Sequence, residues 1–199
     1  MPLTKGLSAS LLDRVAIASG GVALGAAKSV ATAYGGTARI RLGRGTATAF
    51  TIGPTIRLEG SMVAVPTAQD WLTIAEFQMA VGTNIASQAF AGTEAVGQTV
   101  LTLAAGTNFA TADYCFIENT TLGSCEWVRV VSLSGADVTV EEGLTIEQTA
   151  AASIMRDQAE LYVVPMDLTS LQNIRLVVDA GGSGQEVYAQ AEYALVTGL

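Results

Sequence analysis

The most informative part of this sequence, residues 95–157, contains the stretch Cys125-Glu-Trp-Val-Arg-Val-Val-Ser-Leu-Ser-Gly-Ala-Asp-Val-Thr-Val140, whose pattern is that of a β-hairpin. Its first half is rich in valine and other side chains that suit a strand. The tetrapeptide Ser134-Gly-Ala-Asp137 then brings in turn-forming residues, and a glycine there can adopt the positive φ of a tight hairpin. Apolar alternation resumes at Val138. The stretch therefore predicts two antiparallel strands.

The neighbouring sequence continues in the same manner. Short apolar runs recur about every ten residues and are separated by Gly, Asn, Asp or Ser, a spacing typical of all-β proteins. We expect a small closed barrel here, filled by Val128 and Val130 together with Trp127, Phe116 and Tyr114. Its predicted strands are Gln98–Leu103, Thr107–Ile117, Cys125–Leu133, Val138–Leu144 and Gln148–Ala152.

Further strands are predicted on both sides of this segment. Near the C-terminus, Asn173–Ala180 and Gln185–Val196 flank a glycine-rich turn and predict a second hairpin. In the N-terminal part, the candidate at Trp71–Val81 is ambiguous, because Gln69–Met79 can also form two helical turns. The other N-terminal candidates are Leu11–Ala18, Gly21–Ala33, Thr37–Leu42 and Ala47–Ile52, and Thr55–Glu59 and Ser61–Val65 around Gly60.

The order of these strands suggests how the chain is divided. Residues 11–82 and 158–199 each hold too few strands for a sandwich but suffice together, so we predict an all-β protein with a β-sandwich built from both flanks. A barrel-like module of residues 83–157 is then inserted into it, and residues 1–10 form an extended arm. Two domains arranged one after the other are the alternative.

Charge is divided unevenly along the chain. Residues 1–57 carry seven basic side chains and one acidic one, a balance of +6, whereas residues 58–199 carry three basic and seventeen acidic ones, a balance of −14, which together give the formal net charge of −8. This polarity is neutralised internally if basic strands lie beside acidic ones, or it orients the protein on a partner. A nucleic-acid partner is not expected, because the run Arg39–Arg44 contains no aromatic side chain on which bases could stack.

The residue types for most catalytic and metal sites are missing. Histidine is absent, which excludes His-assisted nucleophiles and His-ligated zinc. Glu141 and Glu142 are adjacent strand residues that point to opposite faces, so they cannot flank one bond. Cys115 and Cys125 are interpreted as two buried thiols, with a strained hairpin disulfide as the alternative. We expect no enzymatic activity, no cofactor and no tightly bound metal.

A membrane or secretory role is also not expected. The apolar stretch Val15–Ala27 begins two residues after the acidic Asp13 and contains three glycines, which argues against a secretory signal. Nowhere does the chain reach the roughly 18 consecutive apolar residues of a membrane helix. We therefore expect a soluble protein with strands in this region.

Residues 95–157 resemble a β-module that recurs in structural proteins of tailed bacteriophages. The similarity lies in the order of a Val-Leu-Thr strand, an Asp-Tyr strand opening, a Val-Arg-Val strand and a Ser-Gly turn, and it covers about a third of the chain. The chain departs from that pattern where Ala112 replaces a glycine and where Glu142-Gly143 replaces Arg-Gly.

The resemblance implies a virion component, assembled in the host cytoplasm, whose partners are the major capsid protein or other virion proteins. A capsid decoration or cement protein that stabilises the head suits the small size and the missing catalytic residues. A tail, baseplate or fibre component is the first alternative. The second is a secreted or cell-surface carbohydrate-binding module.

Contacts with a partner are expected at the N-terminal arm and at the basic segment behind it. In this interpretation Leu3 and Leu7 supply apolar contacts to a neighbouring subunit, and Lys5 and Arg14 meet its carboxylates. Alternatively, the arm lies across its own sandwich. The other candidate contact residues are Arg39, Arg41 and Arg44.

We predict that the protein associates with itself, with a trimer favoured. Half of the residues are hydrophobic and only 14% are charged, which leaves few polar side chains to cover a monomer. Sedimentation at micromolar concentration should reveal a species larger than 20.4 kDa. A monomer at every concentration up to the solubility limit would contradict this prediction.

Overall fold

The described part of the chain is built from sixteen β-strands and contains no helix, so the predicted all-β class is confirmed. The structure is a computed structural model that describes residues 3–5, 8–44, 53–79, 87–105, 108–119, 125–156, 159–181 and 186–198. The strands are β1 (Leu3–Lys5), β2 (Ala9–Ile17), β3 (Val22–Leu24), β4 (Lys28–Ser29), β5 (Ala33–Arg44), β6 (Thr55–Ser61), β7 (Leu72–Gln78), β8 (Ser87–Ala89), β9 (Val100–Thr102), β10 (Tyr114–Glu118), β11 (Glu126–Ser134), β12 (Asp137–Val140), β13 (Ser153–Arg156), β14 (Ala159–Asp167), β15 (Asn173–Asp179) and β16 (Val187–Gly198).

The chain divides into two compact units. Unit 1 comprises Met1–Arg41, Thr51–Ala80 and Leu161–Leu199, and unit 2 comprises Leu42–Phe50 and Val81–Glu160. Both flanks of the sequence thus contribute to unit 1. Unit 2 includes a short piece at residues 42–50 in addition to the segment around the predicted module.

Unit 1 contains two five-stranded sheets. Sheet A has the order β1-β16-β5-β14, with β2 also paired to β16, and sheet B has the order β3-β15-β6-β7, with β4 also paired to β15. In the first half of β6 and of β15, the completely buried pairs Ile56/Leu58 and Ile174/Leu176 alternate with the partly exposed Arg57 and Arg175. The alternation is what a sandwich requires, because one face of each strand packs on the core.

The predicted C-terminal hairpin is wrong, although both of its strands exist. β15 pairs with β3, β4 and β6 in sheet B, whereas β16 pairs with β1, β2 and β5 in sheet A. The glycine-rich segment between them therefore joins two sheets instead of turning within one. Both strands nevertheless pair with the N-terminal part of the chain, since all of their described partners end by Ser61.

Several predicted strand boundaries also differ from the structure. Gly21–Ala33 contains only the short strands β3 and β4, β5 runs straight through Gly43, and Ala47–Ile52 lies largely outside the described residues. Gly60 lies inside β6. The next strand along the chain, which pairs with β6, is β7 and not a strand at residues 61–65. A side chain at Gly60 would come within 2.8 Å of Ile74 and Leu171, so the glycine reflects close packing. β7 is a strand and not the alternative helix.

The barrel-like sheet of unit 2 has six strands in the order β8-β13-β10-β11-β12-β9. Hydrogen bonds from Ala91 N to Thr102 O (2.8 Å) and from Ala104 N to Ala89 O (2.9 Å) join its two end strands. The predicted hairpin at 125–140 is present, with Ser134 opposite Asp137 and a positive φ of 63° at Gly135. Residues 148–152 do not form the predicted strand, which instead begins at Ser153.

The predicted filling of the barrel is correct for its valines and wrong for its aromatic residues. Val128 and Val130 belong to the buried cluster with Cys115 and Ile117. Phe116 and Trp127 face each other on the opposite side of the sheet, because adjacent strand residues alternate, and their ring centroids lie 5.1 Å apart. There they pack on the end of β5: Trp127 Nε1 donates to the Leu42 carbonyl (2.8 Å), and any side chain at residue 43 would strike the Phe116 ring.

Ala112 has a left-handed backbone conformation, with a φ of 73°. It lies in the turn before β10, where Ala112 N donates to Val130 O (2.8 Å) and Ala110 N donates to the Asp113 carboxylate (2.7 Å). This conformation is unfavourable in free energy for an L-residue with a side chain, whereas glycine adopts it without strain. This is the position at which the related phage pattern carries glycine.

Ala112→Gly should raise the free energy of unfolding by about 0.5–1 kcal/mol, because it removes left-handed strain. The matched control is Gly135→Ala, where φ is also positive and a Cβ would have open space around it. That variant should lower the free energy of unfolding by about 1 kcal/mol. Urea unfolding measures both changes, and shifts in the same direction would contradict the assignment of the turn.

Candidate interaction surface

The described part of the N-terminal arm pairs with its own chain. Leu3, Thr4 and Lys5 form β1, which lies antiparallel to the end of β16, with Leu3 opposite Gly198 and Lys5 opposite Val196. This placement agrees with the alternative in which the arm lies across its own sandwich. Leu7 lies outside the described residues. The contact of the arm with a neighbouring subunit stays a prediction.

The predicted basic residues differ in their surroundings. Arg41 forms an ion pair with Glu192 (3.1 Å), which joins the basic N-terminal part to the acidic C-terminal part. Arg57 and Arg175 both approach the buried Glu59 carboxylate, at 3.5 and 2.7 Å, and Arg175 also stacks on Trp71 with 4.1 Å to the ring centroid. At these positions the charge asymmetry is therefore neutralised within unit 1.

Of the remaining candidate arginines, all of which the structure describes, Arg39 is exposed. Arg14 is half-buried in β2, and Arg44 is completely buried in unit 2. The expectation that Arg44 meets a partner is wrong for the folded chain, because β5 continues beyond Gly43 and carries the guanidinium away from solvent. The prediction of separate strands at Thr37–Leu42 and Ala47–Ile52 leaves Arg44 in the connection between them, where a charged side chain is expected to face solvent.

No described cluster has the composition of a metal site: no group of three or more Cys, Asp or Glu side chains converges. Cys115 and Cys125 are buried thiols. They are not opposite one another, since Cys115 pairs with Val128. Glu141 and Glu142 are both exposed. No helix in the described residues has the length and apolar character needed to cross a membrane.

Two buried carboxylates of unit 2 are occupied by hydrogen bonds within the barrel. Glu126 accepts from Gln148 Nε2 (2.8 Å) and from Thr145 N and Oγ1 (3.0 and 2.9 Å), while Gln148 accepts from Asn119 (2.9 Å). Glu94 accepts from Thr102 N (2.9 Å) and from the Gln98 amide. These bonds tie loops to strands, and buried polar groups need such partners.

An exposed apolar segment follows β6, and we call residues 62–66 the apolar loop. Met62, Val63 and Val65 are 60%, 44% and 84% exposed, and Leu72, which begins β7 beside it, is 57% exposed. Large aliphatic side chains grouped at one end of a sheet mark an interaction surface more often than singly scattered ones do. The apolar loop is the candidate interaction surface of unit 1.

The apolar loop is held in place by polar contacts on its inner side. The Asn173 amide, which is 7% exposed, donates to the carbonyls of Val63 (2.8 Å) and Ala64 (3.2 Å). Val63 N donates to Ser61 Oγ (3.1 Å). A loop whose backbone is fixed in this way loses little conformational entropy when its side chains meet a partner.

A turn at residues 67–70 connects the apolar loop to β7. Thr67 donates to the Asp70 carboxylate from both its amide and its hydroxyl (2.6 Å each). These two bonds, the hydroxyl bond first, hold the pKa of Asp70 below its ordinary value. Asp70 therefore carries a full negative charge at neutral pH, directly after the apolar loop.

The sequence alone did not reveal this surface, because Ser61–Val65 had been interpreted as a strand. Alternating apolar residues look the same in a strand and in an exposed loop. The available signal was Pro66, which cannot donate to a sheet, together with the turn-forming Thr67-Ala-Gln-Asp70.

Comparison with known proteins gives weak similarities only. No family model and no curated protein sequence matches the chain. Among solved structures, it is similar to the tailspike gp61 of Pseudomonas phage phi297, with 21% identity over 37% of this chain and 14% of the tailspike, at a TM-score of 0.34. The chain thus spans only a small part of that protein's length.

Two further neighbours also come from viruses. VP17, a capsid protein of bacteriophage P23-77, shares 11% identity with complete coverage of both chains and a TM-score of 0.21. A protein of infectious bursal disease virus strain Gx shares 11% identity over 99% of this chain and 42% of that one, at a TM-score of 0.25. These three neighbours are thus viral proteins, a phage tailspike and a phage capsid protein among them, at TM-scores too low to establish a common fold.

We predict that Asn173→Asp loosens the apolar loop, because a carboxylate cannot donate to the carbonyls of Val63 and Ala64. The free energy of unfolding should fall by about 1–3 kcal/mol, as expected for unpaired buried acceptors. Amide hydrogen exchange at residues 63–65 should accelerate. The control Asn108→Asp changes an exposed side chain of unit 2 and should stay within about 0.5 kcal/mol of the parent. Unchanged exchange in the Asn173 variant would refute the role of this amide.

Proposed function

We propose that the protein is a non-enzymatic structural component of a tailed-bacteriophage virion, and specifically a capsid decoration or cement protein that stabilises the head. The observation that carries the proposal is the apolar loop, a fixed and exposed hydrophobic element on a chain made of strands. The resemblance of residues 95–157 to phage structural modules indicates the kind of assembly, which is the virion of a tailed bacteriophage. Its partners are then the major capsid protein or other virion proteins, and it is itself an oligomer.

The distribution of polar groups supports the absence of catalysis. The buried Glu94 and Glu126 are engaged by amides and hydroxyls of their own barrel, and Glu59 lies between two arginines. An acid or base in a catalytic site must instead face a space where substrate can bind. These three carboxylates stabilise the fold.

The virion assignment is tested on particles purified from the phage that encodes this chain. Mass spectrometry should find the protein in filled heads, in a number comparable to that of the major capsid subunits. Recombinant protein should bind heads prepared without it. If the protein is recovered with isolated tails, it is a component of the tail or baseplate. If it is absent from the particle, a virion role is refuted.

Deletion of residues 2–10 should leave the fold intact and weaken binding to heads. β1 and the first two residues of β2 are lost, but the pairs from Leu12 to Ile17 with β16 remain. Part of the loss should depend on salt, because the arm carries Lys5 and precedes Arg14. Circular dichroism is the control for folding. Equal binding of the truncated and complete proteins at low and high salt would show that the arm makes no contact.

A further inference from the structure

A cavity of about 330 Å³ opens beside β2 in unit 1. Its apolar lining includes Leu11 and Leu12, which are buried, and Leu24, which is 59% exposed. The volume is near the lower end of the roughly 300–1,000 Å³ found for pockets that bind small ligands. It suits a few aliphatic side chains of another molecule.

The polar part of the lining is basic on balance. Arg14 and Lys28 both line the cavity, and the one acidic side chain there, Asp13, accepts a hydrogen bond from Ser10 (2.6 Å). An apolar floor with two cations beside it favours an apolar segment that carries a carboxylate.

The apolar loop and Asp70 have this composition. Three exposed aliphatic side chains are followed, after the Thr67 turn, by a carboxylate whose pKa is lowered by hydrogen bonds. The loop and the cavity also lie at the same end of sheet B: Asn173 of β15 is opposite Ser61 on one side and Ser29 of β4 on the other. β15 lies between the apolar loop and the cavity, and its Asn173 fixes the loop. The loop can therefore contact one molecule while the cavity contacts another.

We propose that the apolar loop of one copy inserts into the cavity beside β2 of a second copy, with Asp70 of the first placed next to Arg14 and Lys28 of the second. The contact joins two different parts of the surface, so it repeats around a closed ring or is exchanged reciprocally by two copies. Local complementarity is needed for self-association here, because two chains that each carry a net charge of −8 otherwise repel one another. This inference does not rest on the virion assignment.

Disulfide trapping between two copies tests the contact directly. Purified Val65→Cys protein is mixed with Ala26→Cys protein, and the mixture is oxidised mildly. Val65 is 84% exposed and Ala26 is an exposed residue of the cavity lining, while both native cysteines are buried. A covalent dimer that contains one chain of each kind is expected. The matched control replaces Val65→Cys by Val163→Cys, which alters another exposed valine (61%) of unit 1, on β14.

Cross-linking at Val65 that is no faster than at Val163 would overturn the proposal, as would a strictly monomeric parent protein in sedimentation. These measurements use the purified chain without phage particles. A failure here therefore leaves the presence of the protein in the virion untouched, and absence from the virion leaves the contact between copies untouched.

A charge exchange gives an independent measurement. Lys28→Glu should weaken self-association by about two- to fivefold at low salt, the size expected for an exposed ion pair. Adding Asp70→Lys in the same chain should restore part of the association, because the charges of the Lys28–Asp70 pair are then reversed while Arg14 keeps its positive charge. Circular dichroism shows whether both variants fold. Folded Lys28→Glu protein that associates as the parent does, or a folded double variant without recovery, would count against the placement of Asp70.

Discussion

The structure of unit 1 depends on the pairing of β15 and β16 with strands from the first 61 residues. β15 is an interior strand of sheet B and has partners along both of its edges, and β16 is likewise an interior strand of sheet A. More than 100 residues separate β15 from β6 along the chain, so these hydrogen bonds form only when the two ends of the chain meet. All other features of unit 1, including the candidate interaction surface, are positioned by this long-range pairing.

The same strand that completes sheet B also shapes its surface. Asn173, at the start of β15, fixes the carbonyls of the apolar loop, and Arg175 two residues later covers the Glu59 carboxylate and stacks on Trp71. Along one face of β15, therefore, polar side chains tie down the segments that lead from β6 to β7. Hydrogen bonds on the inner side of the apolar loop fix its backbone, and its apolar side chains are exposed as a result.

Unit 2 is stabilised in a different way. The apolar core of a small barrel is too small to fix all of the loops that connect its strands. Its aliphatic cluster is supplemented by Glu126, Gln148 and Asn119, whose side chains form a connected set of hydrogen bonds. Buried polar groups that are fully paired rigidify loops that apolar packing alone would leave free. On the outer side of the same sheet, Phe116 and Trp127 pack on the end of β5, which explains why residue 43 has no side chain.

Sequence reasoning succeeded for properties that depend on neighbours in the chain. The period of apolar residues established the all-β class and many strands, and the Ser134–Asp137 turn followed from its glycine because a tight hairpin is a local structure. Local patterns also indicated buried thiols at Cys115 and Cys125. Partners of strands are not local. The same alternation near residues 173–196 fits a hairpin and a crossing between two sheets, and only the tertiary structure decided between them.

The candidate surface shows the same limit. Met62, Val63 and Val65 differ in no way from residues of a half-buried strand until the position of Asn173 is known, and that asparagine lies 110 residues beyond Val63. Arg44 was assigned to the surface because charge alone suggests exposure, whereas the continuation of β5 buries it. Composition and period thus determined the class of fold. Which side chains face solvent was decided by contacts between distant segments, because burial is a property of the assembled sheets and not of any one strand.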